Sequence, residues 1–370
     1  NTDRFACVVT VAKDGKEIRR ADLPTAVEPL SEQTYPLPFA KETKAGEYTV
    51  TVSFHLKADT VWAKAGHEVA GEAETCTDKI KVIHSTHNIG VEGAHFSVLF
   101  SVLNGGLVSY KYAGKEMIEA IPKPNFWRAP TDNDCGNLMP ARYAQWKTAS
   151  LYVSHKSPQE TSTPEVTEHE HSITVSFRYF MPTTPVSECR LSYEVFGDGR
   201  VKTTLCYDPV KEFGVLFKFN ADYDRLQWYG LGEQETYADR CKGAKLGIYS
   251  NKVKDNVARY MVPQECGAKC GVRWARVTNR AGDGMLFEMT EETGPMVFSA
   301  LPYTPHEIEN AMHPYELPPV HYTVVRVAKA QMGVGGDDSW GAQTHPEYLL
   351  QTDKTMQFSF VWKGVVSTEA

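Results

Sequence analysis

Apolar and polar residues alternate along much of the chain, and this period of two predicts strands with one buried and one solvent-facing side. In residues 48–56, every second residue from Tyr48 to Leu56 is apolar, and the residues between them are polar. Similar strand patterns, several of them joined by glycine-containing turns, occur at residues 5–11, 96–112, 173–179, 191–207 and 356–362. The spacing predicts hairpins, one of them turning at Asp14 and Gly15.

Helical patterns are scarce by comparison. The best one covers residues 140–148, where Pro140 would occupy the first turn. Residues 157–170 are rich in Ser, Thr, Pro and Glu and predict an exposed loop between strands. Because short strands separated by regular turn signals are typical of sandwiches and barrels, we predict that the chain is all-β.

The strand patterns predict two domains, with a boundary near residues 76–85. Residues 1–80 hold too few strand patterns for a complete sandwich. Residues 81–370 are longer than an ordinary sandwich and contain no obvious linker. We therefore predict that this second region is one large structure of packed sheets, a β-supersandwich.

Composition and charge narrow the classes of partner. The 370 residues include 39 basic and 46 acidic side chains, a net charge of −7, which gives no electrostatic reason to expect binding to nucleic acid or an anionic membrane. No run approaches the ~18 apolar residues that a membrane helix needs, so we expect a soluble protein. The chain opens at Asn1 without an initiator Met, so we expect further sequence upstream and leave cytoplasm and periplasm both open.

The eight cysteines are scattered and lack the spacing of a disulfide framework or a zinc site, which favours free thiols. A metal site is equally poorly supported at Asp337 and Asp338, because two adjacent carboxylates cannot fill a calcium shell alone. The glycines at 333, 335 and 336 lack the Lys-Ser/Thr ending of a phosphate-binding loop. They favour a sharp turn that the two aspartates hold together.

Two pairs of carboxylates have a spacing that glycosidases use. Asp132 and Asp134, like Glu233 and Glu235, are two residues apart, and on a strand each pair would share a face. The competing interpretation is structural, with the aspartates capping local backbone and the glutamates pairing with Arg240. We favour the structural interpretation, because catalytic carboxylates usually come from separate segments that converge in space.

The tryptophans suggest one exposed platform and several core positions. Trp340 follows a Gly- and Asp-rich segment, where an indole could stack on the apolar face of a sugar ring or plug the space beneath the loop. The residues alone do not separate these two interpretations. Trp127, Trp228 and Trp362 flank alternating strands and are predicted to lie in the core.

Several long motifs occur in a fixed order and together resemble the C-terminal part of lactase-type β-galactosidases of glycoside hydrolase family 2. They include Arg-Ala-Pro-Thr-Asp-Asn-Asp-Cys-Gly at 128–136 and Met-Gly-Val-Gly-Gly-Asp-Asp-Ser-Trp at 332–340. Further matching segments lie at residues 62–67, 104–107, 228–240 and 260–267. The resemblance covers nearly the whole chain. It implies that the chain corresponds to the fourth and fifth domains of that family's enzymes. These would be a partial immunoglobulin-like sandwich, its first strand missing upstream of Asn1, and a galactose-mutarotase-like supersandwich.

The resemblance also implies a function for the chain as part of a larger enzyme. That enzyme would hydrolyse terminal β-D-galactosides such as lactose with retention. Its catalytic glutamates and metal ligands, for Mg or Na, would sit on a TIM barrel that precedes these domains. No barrel pattern occurs in this sequence, so we expect no catalytic residue and no cofactor in the chain itself, and no activity when it is isolated. The expected partners are that barrel and a second copy in a homo-oligomer.

The family assigns the chain one wall of the active site, on the aglycone side. Trp340 matches the tryptophan that stacks on the aglycone sugar, and Gly136 and Asn137 match the start of a mobile loop beside the site. This loop is shorter here before Trp146, so its closing role does not carry over directly. Further candidates for substrate binding, from the same motifs, are Asp132, Asn133, Asp134 and Asp338.

Two other functions remain open from the sequence. A free-standing aldose mutarotase would need a general acid and base, typically His and Glu, facing one pocket, and no such pairing stands out. A carbohydrate-binding module would need only the stacking surface.

Overall fold

The computed structural model describes residues 2–13, 16–29, 31–39, 48–60, 64–66, 68–75, 80–207, 212–338, 340–350 and 356–367. The chain divides into two compact units, Asn1–Lys79 and Ile80–Ala370. The predicted turn at Asp14 and Gly15, half of the motif at 62–67, and Cys76 lie outside the described residues.

The first unit contains a four-stranded antiparallel sheet in the order β2-β1-β3-β4. After a 3₁₀ turn at Thr2–Arg4, its strands are β1 (Phe5–Lys13), β2 (Lys16–Leu23), β3 (Tyr48–Leu56) and β4 (Glu68–Thr75). The predicted hairpin at the start of the chain and the predicted strand at 48–56 are confirmed by β1, β2 and β3. The immunoglobulin-like character of this unit stays a prediction.

The second unit is built almost entirely from strands. In chain order its strands are β5 (Lys81–His84), β6 (Asn88–Glu92), β7 (Phe96–Ser101), β8 (Gly106–Tyr112), β9 (Lys115–Glu116), β10 (Lys123–Asn125), β11 (Glu165–Glu168), β12 (Ser172–Met181), β13 (Ser187–Phe196), β14 (Val201–Tyr207), β15 (Glu212–Asn220), β16 (Arg225–Leu231), β17 (Leu246–Lys252), β18 (Lys269–Val272), β19 (Trp274–Thr278), β20 (Gly284–Met289), β21 (Met296–Leu301), β22 (Tyr322–Gln331) and β23 (Met356–Val365). The prediction of an all-β chain is confirmed.

These strands form three sheets. A nine-stranded sheet has the order β11-β12-β13-β14-β23-β20-β19-β16-β17. Two five-stranded sheets have the orders β10-β15-β22-β21-β18 and β5-β6-β7-β8-β9. Strands β7 and β8 pair antiparallel, as do β13 and β14, which confirms the hairpin predictions at 96–112 and 191–207.

One hydrophobic core takes side chains from all three sheets. Phe100, Phe217 and Trp362, one from each sheet, are fully buried. The Phe217 and Trp362 rings meet edge to face with centroids 5.6 Å apart, and Trp362 Nε1 donates to Thr203 Oγ1 at 2.8 Å. Aromatic pairs of this geometry stabilise a core beyond the area they bury. The core positions predicted for Trp127, Trp228 and Trp362 are confirmed.

Short helices interrupt the strands of the second unit at two places. They are α1 (Asp132–Gly136), α2 (Met139–Arg142), α3 (Ala144–Tyr152) and α4 (Pro305–Asn310), with 3₁₀ turns at Val253–Asn256, Pro314–Glu316 and Pro346–Tyr348. The helix predicted at 140–148 is therefore present, but it is longer and divided at Tyr143, whose φ of −120° leaves the helical range. Within the described residues, no helix combines the length and apolarity needed to span a membrane.

The prediction of a loop throughout residues 157–170 is wrong for its second half. Strand β11 lies there and pairs with β12, with Val166 opposite Val175. It is the edge strand of the nine-stranded sheet, and Glu165 and Glu168 give it the charges that protect exposed edges. The same glutamates contributed to the prediction of a loop for this segment.

Candidate functional site

Four of the motif segments meet in the folded chain, although they are far apart in sequence. We call them the four motif segments: residues 128–137, 228–240, 260–267 and 332–340. Hydrogen bonds join them pairwise into a closed ring.

The last motif segment is held by the first two. Arg128 Nη2 donates to the carbonyl oxygen of Gly333 at 3.0 Å, across 205 residues. The backbone N–H of Gly335 donates to Asp239 Oδ2 at 2.6 Å. A Cβ on Gly333 would lie 2.6 Å from the same Asp239 oxygen, so only glycine allows this approach. The turn at 333–336 therefore rests on two charged side chains from other segments.

The third segment closes the ring. Gln264 Nε2 donates to Asp132 Oδ2 at 2.9 Å, and the Asp132 N–H donates back to Gln264 Oε1 at 3.1 Å. Glu235 Oε2 accepts from the N–H of Gly267 at 2.8 Å, and its Oε1 accepts from the Tyr260 hydroxyl at 3.1 Å. The four segments thus support one another, and no one of them adopts its position by local contacts alone.

Asp134 is the central charge of the first segment. Arg128 Nη1 donates to Asp134 Oδ2 at 2.5 Å, and both side chains are 4% exposed. Thr131 caps helix α1, and its N–H and hydroxyl also donate to Asp134 Oδ2, at 2.8 and 3.0 Å. A carboxylate with these partners has a structural role, as the capping interpretation predicted.

The same logic applies to the other predicted carboxylate pair. Glu235 is held by Gly267, Tyr260 and an ion pair with Arg240, whereas Glu233 is exposed and has no salt bridge among the residues that the structure describes. The predicted pairing with Arg240 is confirmed for Glu235. In each carboxylate pair one member is held by internal donors, which favours the structural interpretation for that member.

Trp340 stands at the surface beside helix α1. It is 85% exposed, which excludes the interpretation that the indole plugs the space beneath its loop. Asp338 shapes the loop, since its Oδ1 accepts from the N–H of Trp340 at 2.9 Å and from the N–H of Ala342 at 3.1 Å. Asp338 therefore stabilises the turn through its side chain, as predicted.

A glycine contact brings the start of the α1–α2 loop to this tryptophan. A Cβ on Gly136 would lie 2.8 Å from the Cα of Gly341, and one on Gly341 would lie 2.8 Å from the backbone nitrogen of Asn137. Asn137 Oδ1 accepts from Arg142 Nη2 at 2.5 Å. The structure thus brings Gly136, Asn137 and Trp340 close together, and their role in substrate binding stays a prediction.

The remaining candidates differ in their access to solvent. Asp132 and Asp338 are exposed, Asn133 is half-buried, and Asp134 is buried. Asn133 lies near the glycine turn, because a Cβ on Gly336 would come within 3.0 Å of its Nδ2. An exposed indole with neighbouring amides and a carboxylate can stack on a ring and hydrogen-bond hydroxyl groups.

Asp337, which precedes Asp338 in the loop, interacts with a histidine. His345 Nε2 lies 2.8 Å from Asp337 Oδ1 on the exposed surface. The hydrogen bond to Asp337, with the charge of Asp337 and then that of Glu347, raises the pKa of His345. Thr344 Oγ1 donates to the carbonyl oxygens of Gly333 and Gly335, at 3.1 and 2.9 Å.

Sequence reasoning missed a buried network behind the third segment. Glu265 and Arg326 form an ion pair at 2.5 Å, with 1% and 4% of their side chains exposed, and Gln331 Nε2 donates to Glu265 Oε1 at 2.9 Å. Lys269 is also buried, with Nζ 4.7 Å from the ring centre of Trp228, and burial lowers its pKa to about 8. Charged residues in strands are usually solvated, so only the fold could reveal these positions.

The described residues contain no group of three or more His, Cys, Asp or Glu side chains placed to hold a metal ion. The described cysteines are free, in line with the prediction of free thiols for those seven.

Comparison with known proteins gives matches along the whole chain. A family model described as "Beta galactosidase small chain" matches residues 92–362, and one described as "Beta-galactosidase, domain 4" matches residues 1–74. The chain is 40% identical to a beta-galactosidase of Halalkalibacterium halodurans over 94% of its own length and 36% of that protein. It is 32% identical to the beta-galactosidase small subunit of Latilactobacillus sakei, over 76% of this chain and 97% of that one.

The chain spans about a third of the first relatives it matches, since it covers 36% of their length. Among solved structures it is similar to a galactose 1-epimerase from Lactobacillus acidophilus, with 9% identity and a TM-score of 0.43, over 78% of this chain and 99% of that one.

Proposed function

This chain belongs to the β-galactosidase small-chain family, and we propose that it forms the leaving-group wall of the active site in a retaining β-galactosidase of glycoside hydrolase family 2. The exposed indole of Trp340 carries the proposal. It is held at the surface by Asp338 and by the contact between Gly136 and Gly341. A rigid aromatic surface fixed in this way offers the apolar face of a sugar a place to stack at little entropic cost.

In this proposal the groups that break the glycosidic bond lie outside the chain. Retaining hydrolysis needs two carboxyl groups about 5–5.5 Å apart, one acting as nucleophile and one as acid and then base. The internal donors that hold Asp134 and Glu235 support a structural role for one member of each predicted pair. We assign the two catalytic carboxylates, and the Mg or Na site, to a TIM barrel in the remainder of the enzyme.

The contribution of this chain is then positional. Trp340 would stack on the aglycone of a terminal β-D-galactoside such as lactose, and the side chains of Asn137, Asn133 and Asp338 would face its hydroxyl groups. Stacking on the leaving group orients the bond toward the carboxylates and displaces water from one side of the site. The ring of the four motif segments would keep this wall in a fixed place.

The test compares the isolated chain with the full-length enzyme that contains it. We expect hydrolysis of a chromogenic β-galactoside by the full enzyme and none by the isolated chain, with circular dichroism confirming its strands. Turnover by the isolated chain that disappears on Asp132→Asn or Glu233→Gln substitution would contradict the proposal. Polarimetry on the same samples detects a mutarotase, and galactose titration of the isolated chain detects an independent carbohydrate-binding module.

A further inference from the structure

Basic side chains collect on the outer face of the nine-stranded sheet, at the opposite end of β16 from Glu233 and Arg240. Lys252 lies directly opposite Arg225 in the pairing of β17 with β16. On the other side of β16, Arg276 pairs with Gln227, which places it diagonally from Arg225. The three side chains share the solvent-facing side of the sheet, because Leu226 and Val277 between them are buried. Arg280 follows β19 and lines the same cleft.

This arrangement is unfavourable without a counter-charge. Residues directly opposite on antiparallel strands have Cβ atoms about 4.5–5.5 Å apart, and like charges at this spacing repel. Within the described part of the chain, Lys252, Arg276 and Arg280 have no salt bridge, and Arg225 has only a 3.9 Å contact with Asp224, both about half exposed.

The acid that lines the cleft does not neutralise the group. Asp255 lines the cleft, but its Oδ2 accepts from the backbone N–H of Lys252 at 3.3 Å, which is a turn contact. Elsewhere on the same sheet face the basic residues have acidic partners, as Arg190 has Glu165 and Lys202 has Glu292. The unneutralised cluster is therefore a local exception in a chain whose net charge is −7.

The cleft has the size and the donors for a small ligand. Its volume is about 510 Å³, which lies within the range of small-molecule sites. Besides the four cations, its lining includes the amide side chain of Gln227 and the hydroxyl groups of Ser250 and Thr278, which share the outer face of the sheet with Arg225. Guanidinium groups match the oxygens of phosphate with paired hydrogen bonds, so the lining suits an oxyanion with two or more charges.

We propose that this cleft binds a phosphate-bearing anion, with Arg225, Arg276 and Lys252 as its main contacts and Arg280 at its rim. A diphosphate can meet the cations of β16, β17 and β19 at once and so removes their mutual repulsion. Bound anion would therefore stabilise the folded chain as well as occupy the cleft.

The test uses pyrophosphate and inorganic phosphate with the full-length enzyme, by calorimetric titration and thermal unfolding, against sodium chloride at matched ionic strength. We expect pyrophosphate to bind more tightly than phosphate and to raise the melting temperature. Arg225→Gln and Arg276→Gln should each weaken pyrophosphate binding by about tenfold. Arg190→Gln removes a charge that already has a partner from the same sheet face, and it should leave binding within about twofold.

Three outcomes would overturn the proposal. One is an equal stabilisation by chloride at the same ionic strength, which would indicate simple screening. Another is an equal loss in Arg190→Gln, which would indicate dependence on net charge alone. The third is a clear preference for polyglutamate over pyrophosphate, which would assign the cleft to an acidic protein partner. Arg225→Lys keeps the charge and should retain part of the affinity for pyrophosphate. That result would show that the loss in Arg225→Gln comes from a missing contact and not from misfolding.

Discussion

Gly136 and Gly341 touch backbone to backbone, at the point where the end of helix α1 meets the loop that carries Trp340. A Cβ on Gly341 would come within 2.4 Å of the carbonyl carbon of Gly136, and the φ of Gly341 is +103°. No other residue type fits such an approach without displacing one of the two segments. The relationship fixes the tryptophan relative to Asn137, and it can be tested by adding a single methyl group.

Gly136→Ala is expected to move the Trp340 loop. The new Cβ would lie 2.8 Å from the Cα of Gly341, and forcing such a contact typically costs about 1–3 kcal/mol. We expect a raised KM for lactose in the full-length enzyme with a smaller change in kcat, because the stacking surface would be displaced from the substrate.

Gly243→Ala is the matched control for this substitution, since a Cβ on Gly243 meets nothing within 4 Å. It should leave both kinetic constants unchanged. Equal effects of the two alanines on KM would show that the glycine contact does not position the loop.

Trp340→Ala is expected to weaken binding of the aglycone. Loss of aromatic stacking is worth about 0.5–1.5 kcal/mol beyond buried area, so kcat/KM for lactose should fall about three- to tenfold or more in the full-length enzyme. Trp340→Phe should retain part of the activity. Tyr315 is similarly exposed, at 80%, and serves as a control because it lies outside the four motif segments. A kcat/KM for Trp340→Ala no lower than that for Tyr315→Ala would refute the stacking role.

Asp134→Asn is expected to destabilise the second unit strongly. It removes the charge that faces Arg128, and both side chains are 4% exposed, so the guanidinium would stay buried without its partner. Breaking a buried pair in this way costs about 3–5 kcal/mol. Asp132→Asn removes an exposed carboxylate and should cost less than about 0.5 kcal/mol in urea unfolding. Similar costs for the two variants would show that the buried pair does not stabilise the fold.

Local pattern was enough to predict the strands but not the ring of the four motif segments. The alternation in residues 191–207 reflects one buried and one wet face, and the structure has the hairpin β13–β14 there. The bond from Arg128 to Gly333 joins residues 205 positions apart, and no periodicity encodes such a contact. The motifs marked these segments as unusual, while their mutual support could be seen only in the fold.

Burial was the other property that the sequence left open. An indole is amphipathic, so Trp340 suited a core plug and a surface platform equally well, and its 85% exposure decides between them. The predicted helix is interrupted at Tyr143, which is neither a proline nor a glycine, so the residue type did not predict the interruption. Glu265 and Arg326 are buried because they pair with each other, a condition that residues 61 positions apart meet only after folding.

Acidification is expected to destabilise the second unit through one buried and one half-buried histidine. His155 is 5% exposed, and burial, reinforced by the charge of Lys156, lowers its pKa below the usual 6.5. The pKa of His306 is also lowered, mainly by burial. Above pH 6.5 both histidines are neutral in the folded and unfolded chain and do not affect stability. Below it the unfolded chain binds protons that the folded chain resists, so the free energy of unfolding falls as the pH decreases toward the folded-state pKa values.

Urea unfolding of the full-length enzyme at pH 7.5, 6.5 and 5.5 measures this loss, and His155→Gln is expected to reduce its slope with pH because a glutamine does not titrate. His345 provides the contrast. Its pKa is raised beside Asp337, so its contribution is present below the unfolded-state pKa and is lost as the pH rises through the folded value. His345→Gln should therefore change stability in the acidic range with the opposite sign. A slope that is unchanged in His155→Gln would mean that this buried ring is not the group that resists protonation.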